Sequence, residues 1–90
     1  MNTKQIRYVE TLARVGSFSE AAAELGISQP SLSQYIKKIE GELGTPLFSR
    51  TGSSLRLTGA GLVYLEMGRR MLDAEAQMLS RIGDLKADRT

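Results

Sequence analysis

From Thr3 to Val15 the apolar residues Ile6, Val9, Leu12 and Ala13 recur at helical spacing, and Gly16 closes the run. Ser17, with Glu20 three residues later, reads as a capping box in which each side chain satisfies a backbone N–H that the helix start leaves free. The helix it opens is short and alanine-rich (Ala21, Ala22, Ala23, Glu24, Leu25), and Gly26 supplies the left-handed residue that ends it. Ile27 is an apolar plug in the turn. Ser28-Gln29-Pro30 opens a third helix, since proline fits a first turn whose N–H has no intrahelical partner. Serine is the better cap, but the residue before a proline prefers extended backbone, so Ser28 and Gln29 both remain candidates. The helix runs through Leu32, Tyr35, Ile36, Ile39 and Leu43 to Gly44, and Thr45-Pro46 breaks the pattern. Leu47–Arg50 and Ser54–Leu57 read as short strands joined by Thr51-Gly52-Ser53, which makes a small hairpin. Thr58 caps a last helix expected to reach about Lys86, with Asp88, Arg89 and Thr90 fraying. The expected fold is mainly α: three helices plus a β-hairpin wing over residues 1–57, then a long helix over 58–90.

Ninety residues make one small domain with a modest core. The chain has no cysteine and no histidine, which removes disulfides, thiolate chemistry, the commonest general base and the commonest metal ligand. No stretch resembles a signal peptide or a membrane span, so the expected location is the cytoplasm, with the nucleoid. The net charge of +2 is a weak pointer to a polyanion. Its placement is more informative. Up to Leu57 there are seven bases (Lys4, Arg7, Arg14, Lys37, Lys38, Arg50, Arg56) and five acids, leaving +2, whereas from Thr58 onward five bases meet five acids.

On a wheel of about 100° per residue, Leu32, Ile36, Ile39 and Leu43 of the third helix share one side. Pro30, Gln34, Lys37, Lys38 and Gly41 lie opposite, with Ser31 and Ser33 flanking them. An apolar back and a front of amides, hydroxyls and ammonium groups suit a DNA major groove, whose base edges present donor and acceptor pairs. The amide of Gln29 or Gln34 can donate and accept together, as an adenine edge requires. Ser31 and Ser33 can bond to base or phosphate, and Lys37 and Lys38 can meet the backbone. Free N–H groups near Ser19 at the start of the second helix can hold a phosphate. A polar face on one amphipathic helix is ordinarily only a solvated face; here the glycine turn before it and the basic hairpin after it shift the balance. Arg50, beside the Gly-Ser turn, can enter the minor groove or grip a phosphate. Arg56 alternates with Leu55 and Leu57 and reads as the solvent side of a strand.

These residues resemble the LysR-type transcriptional regulators. The resemblance rests on Phe18, Ala21-Ala22, Leu25, Ser28-Gln29-Pro30-Ser31-Leu32-Ser33, Ile36, Ile39-Glu40, Leu43-Gly44, Leu47-Phe48, Arg50 and Leu57-Thr58-Gly59-Ala60-Gly61. It implies a winged helix-turn-helix followed by a linker helix that pairs two subunits. It also implies that Gln29, Pro30, Ser31, Ser33 and Gln34 read bases, and that Lys38, Arg50 and Ser17 or Ser19 touch the backbone. Lys37 joins them from the helical wheel, and with Ser28 the expected backbone set is Ser17, Ser19, Ser28, Lys37, Lys38 and Arg50. Many members carry arginine where this chain has Gln34, and a basic wing tip where it has Thr51-Gly52-Ser53-Ser54, so wing contacts fall to Arg50. Members continue into a periplasmic-binding-protein-like domain, absent from these residues, through which a small-molecule effector would act and a tetramer would form. No cofactor or metal is expected.

The last helix carries Leu65, Leu72 and Leu79 in one stripe and Tyr64, Met71, Met78 and Leu85 in another, with Met67, Ala74 and Ile82 between. A helix of about 28 residues, roughly 42 Å long, outreaches so small a head. The far half is therefore expected to pair with a second copy, with Tyr64, Met67, Met71, Met78, Ile82 and Leu85 at the interface. A two-fold dimer presents two reading heads to one DNA face and calls for an inverted repeat. The competing readings are a protein-interaction module centred on the long helix and an enzyme. Nothing supports an enzyme: Glu40 and Glu42 point about 200° apart, the serines lack an activating histidine, and Gly59-Ala60-Gly61 lacks the spacing and lysine of a phosphate loop.

Overall fold

The computed structural model describes residues 2–88. The order of elements is α1 (Thr3–Val15), α2 (Phe18–Leu25), α3 (Gln29–Leu43), β1 (Phe48–Thr51), β2 (Ser54–Leu57) and α4 (Gly59–Ala87). The expected fraying of Arg89 and Thr90 falls outside the described residues.

Each boundary has a local cause. The Asn2 side chain accepts the Gln5 N–H at 2.9 Å and the Gln5 side chain accepts the Asn2 N–H at 3.3 Å, so the full capping box stands at α1. At α2 only half of the expected box forms: Ser17 Oγ accepts the Glu20 N–H at 3.3 Å. Glu24, not Glu20, forms the ion pair on this helix, with Arg14 of α1. Gly26, at φ 71°, ends α2. The Gly26 N–H donates to the Ala23 carbonyl at 3.2 Å and the Ile27 N–H to the Ala22 carbonyl at 3.0 Å. A side chain at that φ would be strained, and the tight turn brings Ile27 back against the core. Ser28 is the cap of α3, its hydroxyl accepting the Ser31 N–H at 3.2 Å, with Gln29 the first helical residue and Pro30 in the opening turn.

The hairpin is antiparallel and pairs Phe48 with Leu57, Ser49 with Arg56, Arg50 with Leu55 and Thr51 with Ser54. Its loop is the two residues Gly52-Ser53, with Gly52 at φ 62° where two-residue hairpins need a positive value. The first strand therefore starts one residue later than the sequence pattern gives and includes Thr51. Leu47 falls outside the strand because its N–H goes to the Glu40 carboxylate at 2.7 Å instead of across the hairpin, although its carbonyl still accepts the Thr58 N–H at 2.9 Å.

The core gathers Ile6, Val9 and Leu12 of α1, Ala21 and Ala22 of α2, Leu32, Ile36 and Ile39 of α3, Leu47, and Tyr64 and Leu65 of α4. Full burial of each large aliphatic side chain stabilises by about 1.5–3 kcal/mol before entropy is charged, while the two alanines let α2 approach α1 and α3 closely. Leu43 departs from the expected apolar back of α3 and is 42% exposed, on the rim of an apolar cleft beside Leu47, Tyr64 and Met67. The first turns of α4 belong physically to the head. Thr3 donates to Glu75 at 2.9 Å, Arg7 pairs with the same carboxylate, and Arg69 pairs with Glu10 at 3.2 Å, which lashes α1 to α4. Beyond Glu75 every described residue of α4 is exposed, and the helix carries the molecule to a length of 58 Å against 26 and 20 Å in the other directions.

Candidate nucleic-acid interface

α2, the turn at Gly26–Ser28 and α3 form a helix-turn-helix, with the hairpin standing beside it. The front of α3 is open. Gln29, Pro30, Ser31, Gln34, Lys37 and Lys38 are exposed, while Ser33 is half-buried. The Ser28 hydroxyl donates to Ser31 Oγ at 2.8 Å, which leaves the Ser31 proton free to point outward to an acceptor. No carboxylate pairs with Lys37 or Lys38 among the described residues.

A cleft of about 220 Å³ separates the start of α2 from the hairpin. It brings together three groups far apart in the chain: Ser17 and Ser19, whose hydroxyls lie 3.2 Å apart, Gln29 at the start of α3, and Arg50 of β1. The Arg50 guanidinium stands over the Phe18 ring, 5.3 Å from its centroid. Arg50 and Arg56 are exposed and, like Lys37 and Lys38, have no carboxylate partner among the described residues.

Three features of the site were not read from the sequence. Glu40 accepts the N–H groups of Leu47 at 2.7 Å and Phe48 at 3.3 Å, tying the end of α3 to the root of the hairpin. The meeting of Gln29 with Arg50 arises only when the hairpin folds back, so no local pattern announces it. Lys4 lies 5.6 Å from the ring centroids of both Tyr8 and Tyr35, which contact each other at 4.5 Å; the Lys4-Tyr8 spacing of one helical turn was the available signal.

On α4, Met67, Met71, Met78, Ile82 and Leu85 are 43–66% exposed, as are Leu62, Val63 and Leu79. Tyr64, expected at a subunit interface, is only 8% exposed: it packs in the head's own core and also lines an apolar cleft beside Leu43 and Met67. Its hydroxyl has no hydrogen-bond partner. Burial pushes its pKa above the ordinary 10.0, with Tyr35 and Glu42 adding in the same direction. An apolar cleft of about 470 Å³ opens between Leu43 and Leu47 on one side and Val63, Met67 and Met71 on the other. No described helix is long and apolar enough to cross a membrane, and no metal-binding cluster occurs among the described residues.

A three-helix head with a two-stranded wing that packs on α1 and α4 and faces the start of α2 and α3 across a cleft is a winged helix-turn-helix. The chain matches the family model for the bacterial regulatory helix-turn-helix proteins of the lysR family over residues 3–62 and belongs to that family. Among curated relatives it is 46% identical over 72 residues to the HTH-type transcriptional regulator BudR of Klebsiella aerogenes, covering 80% of this chain and 50% of BudR. It is 44% identical over 79 residues to XapR of Escherichia coli K12, covering 88% of this chain and 27% of XapR. The chain thus spans a quarter to a half of the length of these relatives. Among solved structures, the CbnR_DBD–DNA complex superposes with TM-score 0.86 at 30% identity, covering 96% of this chain and 99% of that one. The BenM_DBD/catB site 1 DNA complex gives TM-score 0.91 at 29% identity, covering 100% and 97%.

Proposed function

We propose that this chain is the sequence-specific, double-stranded DNA-binding part of a dimeric bacterial transcriptional regulator, with residues 1–57 as reading head and 58–90 as linker and dimerisation helix. The observation that carries the reading is the clustering of groups on one open surface: Lys37, Lys38, Arg50 and Arg56, exposed and without a carboxylate partner among the described residues, flank the exposed Gln29, Ser31 and Gln34 of the front helix. Unpaired cations on one reading surface gain affinity by displacing counterions from phosphate. The likeness to two domains solved on DNA, at TM-scores of 0.86 and 0.91, supports the same reading.

In this account α3 enters the major groove and Gln29, Pro30, Ser31, Ser33 and Gln34 meet base edges. The Gln34 amide offers a donor and an acceptor to adenine, and the outward proton of Ser31 serves a base or phosphate acceptor. Lys37, Lys38, Ser17, Ser19, Ser28 and Arg50 hold the backbone on either side, with the wing on adjacent phosphates or in the minor groove. A second subunit pairs through α4, using Met67, Met71, Met78, Ile82 and Leu85 and the apolar cleft beside Leu43. The heads then face opposite ways and read an inverted repeat with half-sites a whole number of turns apart. A small-molecule effector and a tetrameric state would depend on a further domain of the kind that the family resemblance implies, and the place of action is the cytoplasm, at the nucleoid. The role is binding, not catalysis.

The test pairs Gln34→Ala with Lys38→Ala. Gln34→Ala should cost about 1–3 kcal/mol on the selected site and relax preference at one base pair. Lys38→Ala should weaken binding to all duplexes and lower the salt slope by about 1. If neither variant alters binding, α3 is not the reading helix, and the long helix as a protein-interaction element takes over.

A further inference from the structure

The wing offers little by which to hold a cation in place. Its tip, Thr51-Gly52-Ser53-Ser54, is uncharged, and Arg50 sits on a two-stranded sheet, exposed, with no carboxylate partner among the described residues. An arginine so placed would ordinarily spread over many rotamers and lose that freedom on binding an anion. Here it does not stand alone. The guanidinium lies over the ring of Phe18, 5.3 Å from the centroid, within the range in which the negative face of an aromatic attracts a cation. Phe18 is itself anchored: it is the first residue of α2, half-buried and packed against the core. Both side chains line the cleft that also holds Ser17, Ser19 and Gln29.

We infer that Phe18 is a positioning residue for DNA binding: its ring holds the Arg50 guanidinium at the mouth of the α2–wing cleft, preset to take one backbone phosphate. Phe18 need not touch DNA. It links the start of α2 to the wing, so that two elements 32 residues apart in sequence (Phe18 to Arg50) grip the same stretch of backbone. The arrangement suits guanidinium more than ammonium, because the planar cation stacks on the ring and keeps its N–H donors free at the edge for phosphate oxygens. This inference rests on the DNA-binding reading above and adds to it a residue that an inspection of polar groups alone passes over.

The test uses the 90-residue chain and a labelled mixed-sequence duplex of roughly 30 bp, about three helical turns, because a phosphate contact is independent of sequence. Affinity is measured as a function of salt for the wild type, Phe18→Leu, Phe18→Tyr, Arg50→Ala and Phe18→Leu/Arg50→Ala, with thermal melts alongside. Phe18→Leu keeps an apolar side chain and removes the π face; it should weaken binding roughly two- to tenfold, the scale of the ordering cost of one rotamer-rich side chain. Phe18→Tyr keeps the face and should restore most of the affinity. In the Arg50→Ala background Phe18→Leu should cost nothing further. A Phe18→Leu loss of equal size in both backgrounds, or no loss when Arg50 is present, overturns the inference while leaving DNA binding intact. A wild type that does not bind the duplex at low salt overturns the DNA-binding reading, and this one with it. A separate measurement on the wild type covers the case in which Phe18→Leu fails to fold. The Arg50 δ-methylene protons should be shifted upfield by the Phe18 ring current, and protons at random-coil positions would refute the placement.

Discussion

Replacing Glu40 by alanine strikes the joint between reading helix and wing. Its carboxylate accepts two backbone N–H groups, from Leu47 at 2.7 Å and Phe48 at 3.3 Å, both in partly buried bonds. A hydrogen bond to a charged group contributes about 1.5–3 kcal/mol. The shorter bond deserves the middle of that range, and the longer one, at the edge of good geometry, about 1 kcal/mol. Their loss removes the acceptor of the buried Leu47 N–H and of the half-buried Phe48 N–H. The expected cost of Glu40→Ala is therefore about 3 kcal/mol. A domain of this size has about 5–13 kcal/mol of stability in all, so the melting temperature should fall by roughly 12–24 °C. Glu40→Gln keeps an accepting oxygen but loses the charge, which about halves the strength of each bond; its cost should be about 1–2 kcal/mol. Urea unfolding followed by circular dichroism at one fixed protein concentration measures the series, and the order should be wild type, then Gln, then Ala. A Glu40→Ala variant within about 0.5 kcal/mol of wild type, the range of ordinary surface changes, would show that this carboxylate does not tie the hairpin to α3.

Three further outcomes follow from other parts of the molecule. Gly61→Ala should destabilise by more than the roughly 1 kcal/mol of helix propensity it gains, because a Cβ there would stand 2.2 Å from the Leu47 carbonyl oxygen; a melt equal to or above wild type contradicts the close approach. Tyr64→Phe removes a buried hydroxyl without a partner and should leave neutral-pH stability unchanged or raise it by up to about 1 kcal/mol. Because burial raises the Tyr64 pKa above 10.0, the fold favours the protonated phenol: its contribution is intact below pH 10 and is lost as pH rises beyond it. Tyr64→Phe should flatten the alkaline decline of stability, and an unchanged decline contradicts that assignment. Ile82→Lys, at a residue 49% exposed on the far half of α4, should leave helical content as it is and convert a dimer to monomer in light scattering; an unchanged mass places the interface elsewhere.

The helices were legible because local rules govern them. The 3.6-residue apolar period marks α1 and α3, and glycines at Gly16, Gly26 and Gly44 end three helices as the chemistry of left-handed caps requires. What the sequence concealed depends on partners distant in the chain. Leu47 reads as a strand residue by alternation, yet the carboxylate of Glu40 captures its N–H. Tyr64 fits the stripe of Met71 and Met78, but its early position on α4 turns it into the head, and only the three-dimensional course of the chain separates the two. The front of α3 was legible as a polar face, whereas the cleft that unites Ser17, Ser19, Gln29 and Arg50 was not, since its walls come from α2, α3 and the wing.

The most direct measurement is binding-site selection: the purified chain is presented with a pool of randomised duplexes, and the enriched sequences are read. The expected product is an inverted repeat with half-sites a whole number of helical turns apart, whose preferred bases change when Gln34 is replaced by alanine. An unenriched pool, with only weak and salt-sensitive binding, would contradict it.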